Sequence, residues 1–249
     1  RLQLEVHAEE INNYPLNDKE LYVFIRLGSD YKQNYYEYEV PLVLTPPGNY
    51  DNDEYEDRLI VWPDENRIDL RFSLFQDVKQ ERNDKMRESN STVQLTTPYY
   101  IMDGENKVTV TGNPNLSNVR TIMLGIRNPN DADNDDPHSG EIWLNELRLS
   151  EFDETGGWAA NARVMTKLAD LGTVTVAGST SKPGFGSIEK KVSERQKEEM
   201  LQYDISSNLE LGKFFPQKAG IRIPVYLGLS ESVTNPQYNP LDPDIPLSA

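Results

Sequence analysis

Four stretches between Trp158 and Ser230 alternate between apolar and polar side chains, and this period of two restricts the possible folds more than any other feature of the chain. In the first stretch the even positions are apolar or small, whereas the odd positions include Arg163 and Lys167. Successive side chains of a β-strand point to opposite faces, so each stretch predicts a strand with one apolar face. The short turn at 169–172 contains an Asp and a Gly and predicts that the first two strands form a hairpin.

The apolar positions of the four predicted strands are expected to meet one common environment. They are Trp158, Val164, Leu168, Val174, Val176, Leu201, Tyr203, Ile205, Leu209, Leu211, Ile221, Ile223, Val225, Leu227 and Leu229. The charged residues of the opposite faces are Arg163, Lys167, Asp204 and Glu210. The strand lengths suit tilted membrane strands of about 9–11 residues, with the apolar positions facing lipid and the charged ones facing a lumen. The same alternation also describes a soluble antiparallel sheet with one wet face, and the pattern alone leaves both open.

The acidic charge of the chain is confined to its first part. Ten basic and ten acidic residues lie at or after Trp158, so the net charge of −16 comes from the 15 basic and 31 acidic residues before it. A segment this acidic repels nucleic acid backbones, and we therefore exclude nucleic acid as a ligand. Charge and strand pattern change at the same place, which predicts one domain at 1–154 and a second at 155–249.

The first domain is predicted to be an antiparallel sandwich. At least seven short alternating segments are separated by turn residues, a spacing that is typical of sandwiches and jelly rolls. The last segment, GEIWLNELRL from Gly140, is similar to the closing strand of carbohydrate-binding jelly rolls, a similarity of fold that does not give function. The predicted fold is thus all-β, with a jelly-roll-like antiparallel β-sandwich followed by amphipathic strands.

Three further segments carry weaker signals. Alternation over 68–74 predicts a strand, and the charged stretch 77–88 predicts a short surface helix or a loop. Four prolines within 235–246 argue against a central strand and predict an extended loop.

One acidic loop is a candidate metal site. Asp131, Asp133, Asp135 and Asp136 offer the alternating oxygen ligands that Ca²⁺ requires. The loop lacks the Gly and the Glu of an EF-hand, and a solvated acidic loop is the alternative interpretation.

A pair of glutamates is a candidate catalytic site. Glu141 and Glu146 match the outer carboxylates of the G-E-I-D-I-x-E strand of jelly-roll glucanases, but Trp143 replaces the central Asp. Retaining hydrolysis needs carboxylates about 5–5.5 Å apart, and residues an odd number apart lie on opposite faces unless a bulge intervenes. The chain also lacks a nucleophile motif and has no cysteine. We therefore predict that it is not an enzyme and carries no cofactor other than the Ca²⁺ considered above.

Two segments carry a family resemblance. They are GWAANARVMTKLADLGTVTVAGSTSKPGFGSIEKKVSERQKEEMLQYDISSNLELGKFFPQKAG from Gly157 and NPQYNPLDPDIPL from Asn235. Both resemble the SprA/Sov family of gliding-motility proteins, which are outer-membrane translocons of the type IX secretion system of Bacteroidetes. The resemblance is nearly continuous over 140–247 and looser over 1–139.

The resemblance implies that the alternating strands belong to a large outer-membrane β-barrel, and that the chain, which begins at Arg1, is a segment of a longer protein. The expected function is a non-catalytic part of a translocon for secreted cargo proteins, with a PorV-type shuttle protein and a plug protein as partners. Bacterial barrels have short periplasmic turns, so the turn at 169–172 predicts an extracellular sandwich near the barrel mouth. The alternative is a soluble carbohydrate-binding jelly-roll module.

Overall fold

The computed structural model describes residues 1–11, 15–129, 137–191 and 194–247. The chain divides into two compact units. Unit 1 is Arg1–Phe152 with Pro243–Ile245, and unit 2 is Asp153–Asp242 with Pro246–Ala249. Sheets of antiparallel strands build both units, which confirms the all-β class.

In its described residues, unit 1 contains two sheets and two α-helices. Its strands are β1 (Leu2–Glu10), β2 (Tyr22–Gly28), β3 (Tyr35–Pro41), β4 (Ile68–Leu70), β5 (Tyr99–Asp103), β6 (Asn106–Thr111), β7 (Thr121–Arg127) and β8 (Gly140–Leu149). The helices are α1 (Tyr55–Val61) and α2 (Ser73–Arg87). One sheet has the order β4-β1-β8 and the other β5-β6-β3-β2-β7. The first strand, β1, pairs with the last, β8, and the second strand, β2, pairs with β7. This is the nested arrangement of a jelly roll.

A single hydrophobic core lies between the two sheets and α2. Alternating residues of the strands, such as Val6 and Ile25, are buried in it. The three-stranded sheet is narrower than its partner, and α2 packs against β5 and β6 to cover the remainder. Phe75 and Val78 of α2 are fully buried, and the Phe75 ring stacks on Tyr36 with centroids 4.9 Å apart.

Two expectations from sequence are wrong in this unit. The predicted strand at 68–74 ends at Leu70 because α2 begins at Ser73. The helix is also longer and more buried than a surface helix at 77–88. Its buried residues are Phe75, Val78, Lys79 and Arg82, which have the i, i+3, i+4, i+7 spacing of one helix face.

Unit 2 is built around one four-stranded meander. Its strands are β9 (Ala159–Leu168), β10 (Gly172–Ser181), β11 (Glu198–Glu210) and β12 (Pro224–Pro236), in the order β12-β11-β10-β9. Strand β12 extends six residues beyond Ser230, where the alternation was expected to end.

The segment predicted as an extended loop at 235–246 forms two short strands, β13 (Tyr238–Asn239) and β14 (Asp242–Pro246), and among the described residues these pair only with each other. The prolines are tolerated because both strands are edges. Residues Pro243–Ile245 of β14 belong to unit 1, where the Asp244 side chain is 1% exposed.

Candidate functional site

The register of the unit 2 sheet places most of the predicted apolar positions on one face, named here the apolar face. Val164 pairs with Val176, Val176 with Ile205, and Ile205 with Leu229, so one apolar row crosses all four strands. Directly paired residues share a face of a sheet. The same pairing places on this face Leu168, Val174, Leu201, Tyr203, Leu209, Val225 and Leu227.

Four predicted positions lie outside the strands. Trp158 directly precedes β9, and its carbonyl accepts a hydrogen bond from the Lys182 amide at 2.9 Å, so it continues the ladder. Leu211, Ile221 and Ile223 instead lie in the connection between β11 and β12. This connection contains two 3₁₀ turns and a left-handed Gly220 with φ of 64°, which end the extended conformation before the pattern ends.

The apolar face is uncovered. Val164, Val176, Ile205 and Leu229 are 62%, 46%, 41% and 57% exposed. Among the described residues, no apolar side chain of unit 2 is buried, and the hydrophobic core contains residues of unit 1 alone. A four-stranded sheet needs a covered face for stability, so this face requires an apolar environment that unit 2 does not supply.

The opposite, polar face carries the predicted charged residues. Arg163 and Asp204 each pair with Ala177 and so share one row, and Lys167 shares another row with Asn208 through Thr173. Glu210, at the end of β11, has the same parity as Asp204 and also has a local structural role. Its carboxylate accepts hydrogen bonds from the amides of Gly212 at 3.2 Å and Ile223 at 2.5 Å, and so holds the β11–β12 connection.

Polar groups also occur at two other places of this sheet. Glu231 lies on the apolar face, where the Tyr203 hydroxyl donates a hydrogen bond to its carboxylate. At the end of the sheet near the β9–β10 turn, the Lys213 ammonium lies 3.0 Å from Asp170. This hydrogen-bonded ion pair lowers the pKa of the Asp170 carboxyl below its ordinary value.

The predicted calcium ligands Asp131, Asp133, Asp135 and Asp136 lie outside the described residues. Within residues 1–11, 15–129, 137–191 and 194–247, no group of three or more His, Asp or Glu side chains is arranged to hold a metal ion. No helix in that part of the chain is long and apolar enough to cross a membrane.

The glutamate pair does not have the geometry of a glycosidase. Strand β8 does contain a bulge, because Gln3 pairs with Arg148 but Glu5 with Asn145, and Glu146 takes the left-handed φ of 57°. Glu141 lies four pairs from Asn145, so at about 3.3 Å per residue the backbone positions of the two glutamates are roughly 13 Å or more apart along the strand, and both side chains would have to bend toward each other to bring the carboxylates close. Retaining enzymes need about 5–5.5 Å between the carboxylates and inverting enzymes about 6.5–9.5 Å.

Two groups of residues were not predicted from sequence. The first is the buried ion pair of Lys79 and Asp244 in unit 1. The second is an aromatic cluster in which the His7 ring lies 5.8 Å from Trp62 and 5.0 Å from Trp143, measured between ring centroids. The only local signal for this cluster was Trp143 at the position where a catalytic Asp would stand.

Fold and site together define the class of the protein as an acidic β-sandwich followed by an amphipathic antiparallel sheet that is incomplete by itself. A family model described as SprA_N, motility related/secretion protein, matches residues 1–249, and the chain belongs to this family. A search of curated proteins finds no matching relative. The family gives the chain a role in motility or secretion at the cell envelope.

Proposed function

We propose that the chain is part of an outer-membrane translocon of the type IX secretion system, which also serves gliding motility, and that its role is structural rather than catalytic. The β9–β12 sheet is a section of a large β-barrel wall, with its apolar face toward lipid and its polar face toward the lumen. The uncovered, in-register apolar face is the observation that supports this proposal most directly. Lipid would supply the apolar environment that unit 2 lacks.

The edges of the sheet support the same proposal. Strands β9 and β12 are the outer strands of the sheet, and among the described residues the outer edge of each pairs with no other strand. Backbone groups in a bilayer need hydrogen-bond partners, and closed barrels provide them. Further strands of the parent protein would therefore pair on both sides. Secreted cargo proteins would pass the lumen, and a PorV-type shuttle protein and a plug protein are the proposed partners.

Cysteine labelling tests the bilayer placement, since the chain has no native cysteine. Val174 and Thr175 are neighbours on opposite faces of β10 and both are half-buried, so they form a matched pair. In the membrane-embedded parent protein, we expect Val174→Cys to react with a lipid-soluble maleimide only, and Thr175→Cys with a water-soluble one only. If Val174→Cys reacts with neither maleimide, this position is packed in a protein core. The proposed function would then be a soluble carbohydrate-binding module and not a translocon.

The connections of the sheet set its proposed orientation. Three residues, 169–171, join β9 to β10, whereas 182–197 join β10 to β11. Short turns are periplasmic in bacterial barrels and long loops extracellular. The strand end that begins at Ala159 would then be extracellular, and the sandwich that precedes it in the chain would lie outside the cell.

Proteolysis of intact cells tests this orientation. We expect an added protease to cleave the 182–197 loop while the membrane stays closed, since the loop is exposed to the medium. A periplasmic protein of the same cells serves as the control for membrane integrity. Protection of the loop in intact cells, together with cleavage after the outer membrane is opened, would reverse the proposed orientation.

A further inference from the structure

Unit 1 contains a small aromatic cleft that is not part of the β9–β12 sheet. The cleft has a volume of about 230 Å³ and is lined by Tyr50, Asp51, Asn52, Asp57, Arg58, Val61, Trp62 and Trp143. Helix α1 and the residues before it form one wall, and Trp143 of β8 forms the other. Pockets for drug-sized ligands measure roughly 300–1,000 Å³, so this cleft accommodates a single side chain or ring.

The aromatic walls of the cleft are held in place from behind by His7. The His7 ring is 3% exposed and lies next to both indoles. Its Nδ1 is 2.8 Å from the Val61 carbonyl, and since a carbonyl oxygen only accepts, Nδ1 carries the proton and donates it. On the other side, the Trp143 Nε1–H donates to the Glu141 carboxylate at 2.6 Å. Both indoles are therefore oriented before any ligand arrives, which lowers the entropy cost of binding.

The charge of the cleft is negative. Within the described structure, Asp51 and Asp57 form no ion pair. The Asp57 carboxylate accepts a hydrogen bond from the Asp51 amide at 2.7 Å, and the Asp51 carboxylate accepts one from the Asp53 amide at 2.9 Å. The segment around them also contains Asp53, Glu54 and Glu56. Arg58 is the one cation of the lining, and its guanidinium lies over the Tyr55 ring at 5.8 Å. Two indoles, a tyrosine and unpaired carboxylates thus surround one small space.

This combination selects a cation. Indole faces attract cations through the ring quadrupole, and the acidic segment adds a negative potential that repels anionic ligands. A metal ion is excluded because no three acidic or histidine side chains of the described structure converge. A guanidinium fits best, since it is planar, stacks on indole and bonds carboxylates in a bidentate manner.

We propose that this cleft binds an arginine side chain of a basic polypeptide segment. Trp62 and Trp143 stack on the guanidinium, and Asp57 or Asp51 accepts its hydrogen bonds. The inference concerns unit 1 alone, so it stands or fails independently of the bilayer placement of unit 2. It gives the acidic sandwich a partner of defined chemistry rather than a general affinity for positive charge.

Nuclear magnetic resonance of the full chain in a non-ionic detergent tests the proposal. The probe is the end-blocked peptide Gly-Arg-Gly, and the readout is the indole N–H resonance of each tryptophan. We expect titration to shift the resonances of Trp62 and Trp143 but not that of Trp158, with binding weakened by added salt. Equal shifts with Gly-Gln-Gly, or shifts with a gluco-oligosaccharide in place of the arginine peptide, would overturn the proposal.

Substitutions localise the binding. Asp57→Asn keeps an oxygen that can accept the Asp51 amide, so it removes charge with little effect on the fold, and we expect about tenfold weaker binding. Trp143→Ala should weaken binding about as much, since Trp143 is half exposed and removing it leaves the core intact. Asp64→Asn makes the same charge change on an exposed residue outside the cleft and should change the affinity less than twofold. Equal effects of Asp57→Asn and Asp64→Asn would assign the binding to net charge and contradict a site.

Discussion

Replacing Asp244 with alanine is expected to destabilise unit 1 by about 3–5 kcal/mol, because the substitution removes the buried carboxylate that forms an ion pair with the buried Lys79 ammonium. Lys79 Nζ lies 2.9 Å from Asp244 Oδ1, and both side chains are 1% exposed. The other carboxylate oxygen accepts hydrogen bonds from the Tyr36 hydroxyl at 2.6 Å and the Leu116 amide at 3.2 Å. The substitution therefore removes one acceptor from three donors at once. Lys79 Nζ and the Tyr36 hydroxyl keep the Pro114 carbonyl, at 2.9 Å and 3.5 Å, but lose their hydrogen bonds to the carboxylate, each at a cost.

Hydrogen exchange of peptides from β3 and α2 measures this effect within the full chain. The expected loss corresponds to exchange faster by roughly two to three and a half orders of magnitude, at about 1.4 kcal/mol per tenfold. Glu105→Ala is the matched control, since it breaks the pair of Lys19 and Glu105, which water screens, and it should leave the exchange rates nearly unchanged. Replacing the pair together, with Lys79→Met and Asp244→Leu, should restore most of the protection. An Asp244→Ala effect as small as that of Glu105→Ala would show that Pro243–Ile245 does not stabilise unit 1.

The buried ion pair also explains why α2 was not predicted from sequence. Its buried face is at helical spacing, but two of the four positions are Lys79 and Arg82, so a search for apolar periodicity finds only Phe75 and Val78. These cations are buried because partners far along the chain satisfy them. Asp244 is 165 residues from Lys79, and the Gly112 carbonyl is 30 residues from Arg82. A local pattern contains no information about such partners.

Alternation, in contrast, predicted the faces of the unit 2 sheet well. The side-chain period of a strand depends only on its own backbone, so parity along β9 to β12 was enough to assign each residue to a face. Parity does not give the ends of strands. Turn geometry sets the ends, and the 3₁₀ turns before Gly220 place Leu211, Ile221 and Ile223 outside the strands. The bulge at Glu146 is a similar case. One extra residue in β8 exchanges the faces of the residues that follow it, and the apolar pattern of the sequence does not show where this occurs.

Replacing Ile205 with arginine is expected to block assembly of the sheet into the membrane, whereas the same change at the neighbouring Ser206 is tolerated. Ile205 lies near the middle of β11 in the apolar row with Val176 and Leu229, and Ser206 lies on the opposite face. An arginine on a lipid-facing position at the bilayer midplane costs about 2–4 kcal/mol. A cost of about 3 kcal/mol lowers the equilibrium constant for folding by roughly two orders of magnitude. On the opposite face, which the proposal directs toward a water-filled lumen, the guanidinium would stay in water without this penalty.

The measurement is the folded fraction of the parent protein in outer-membrane preparations, from the mobility of unheated samples in gels. The two variants share one strand, the same added charge and the same added length, so their difference reports the face alone. Ile205→Arg should be depleted in the folded band, and Ser206→Arg should match the unsubstituted protein. Equal folding of both variants would mean that the apolar face does not contact lipid. Depletion of both would mean that protein packs against each face, and the sheet would then be an inner layer of a larger assembly.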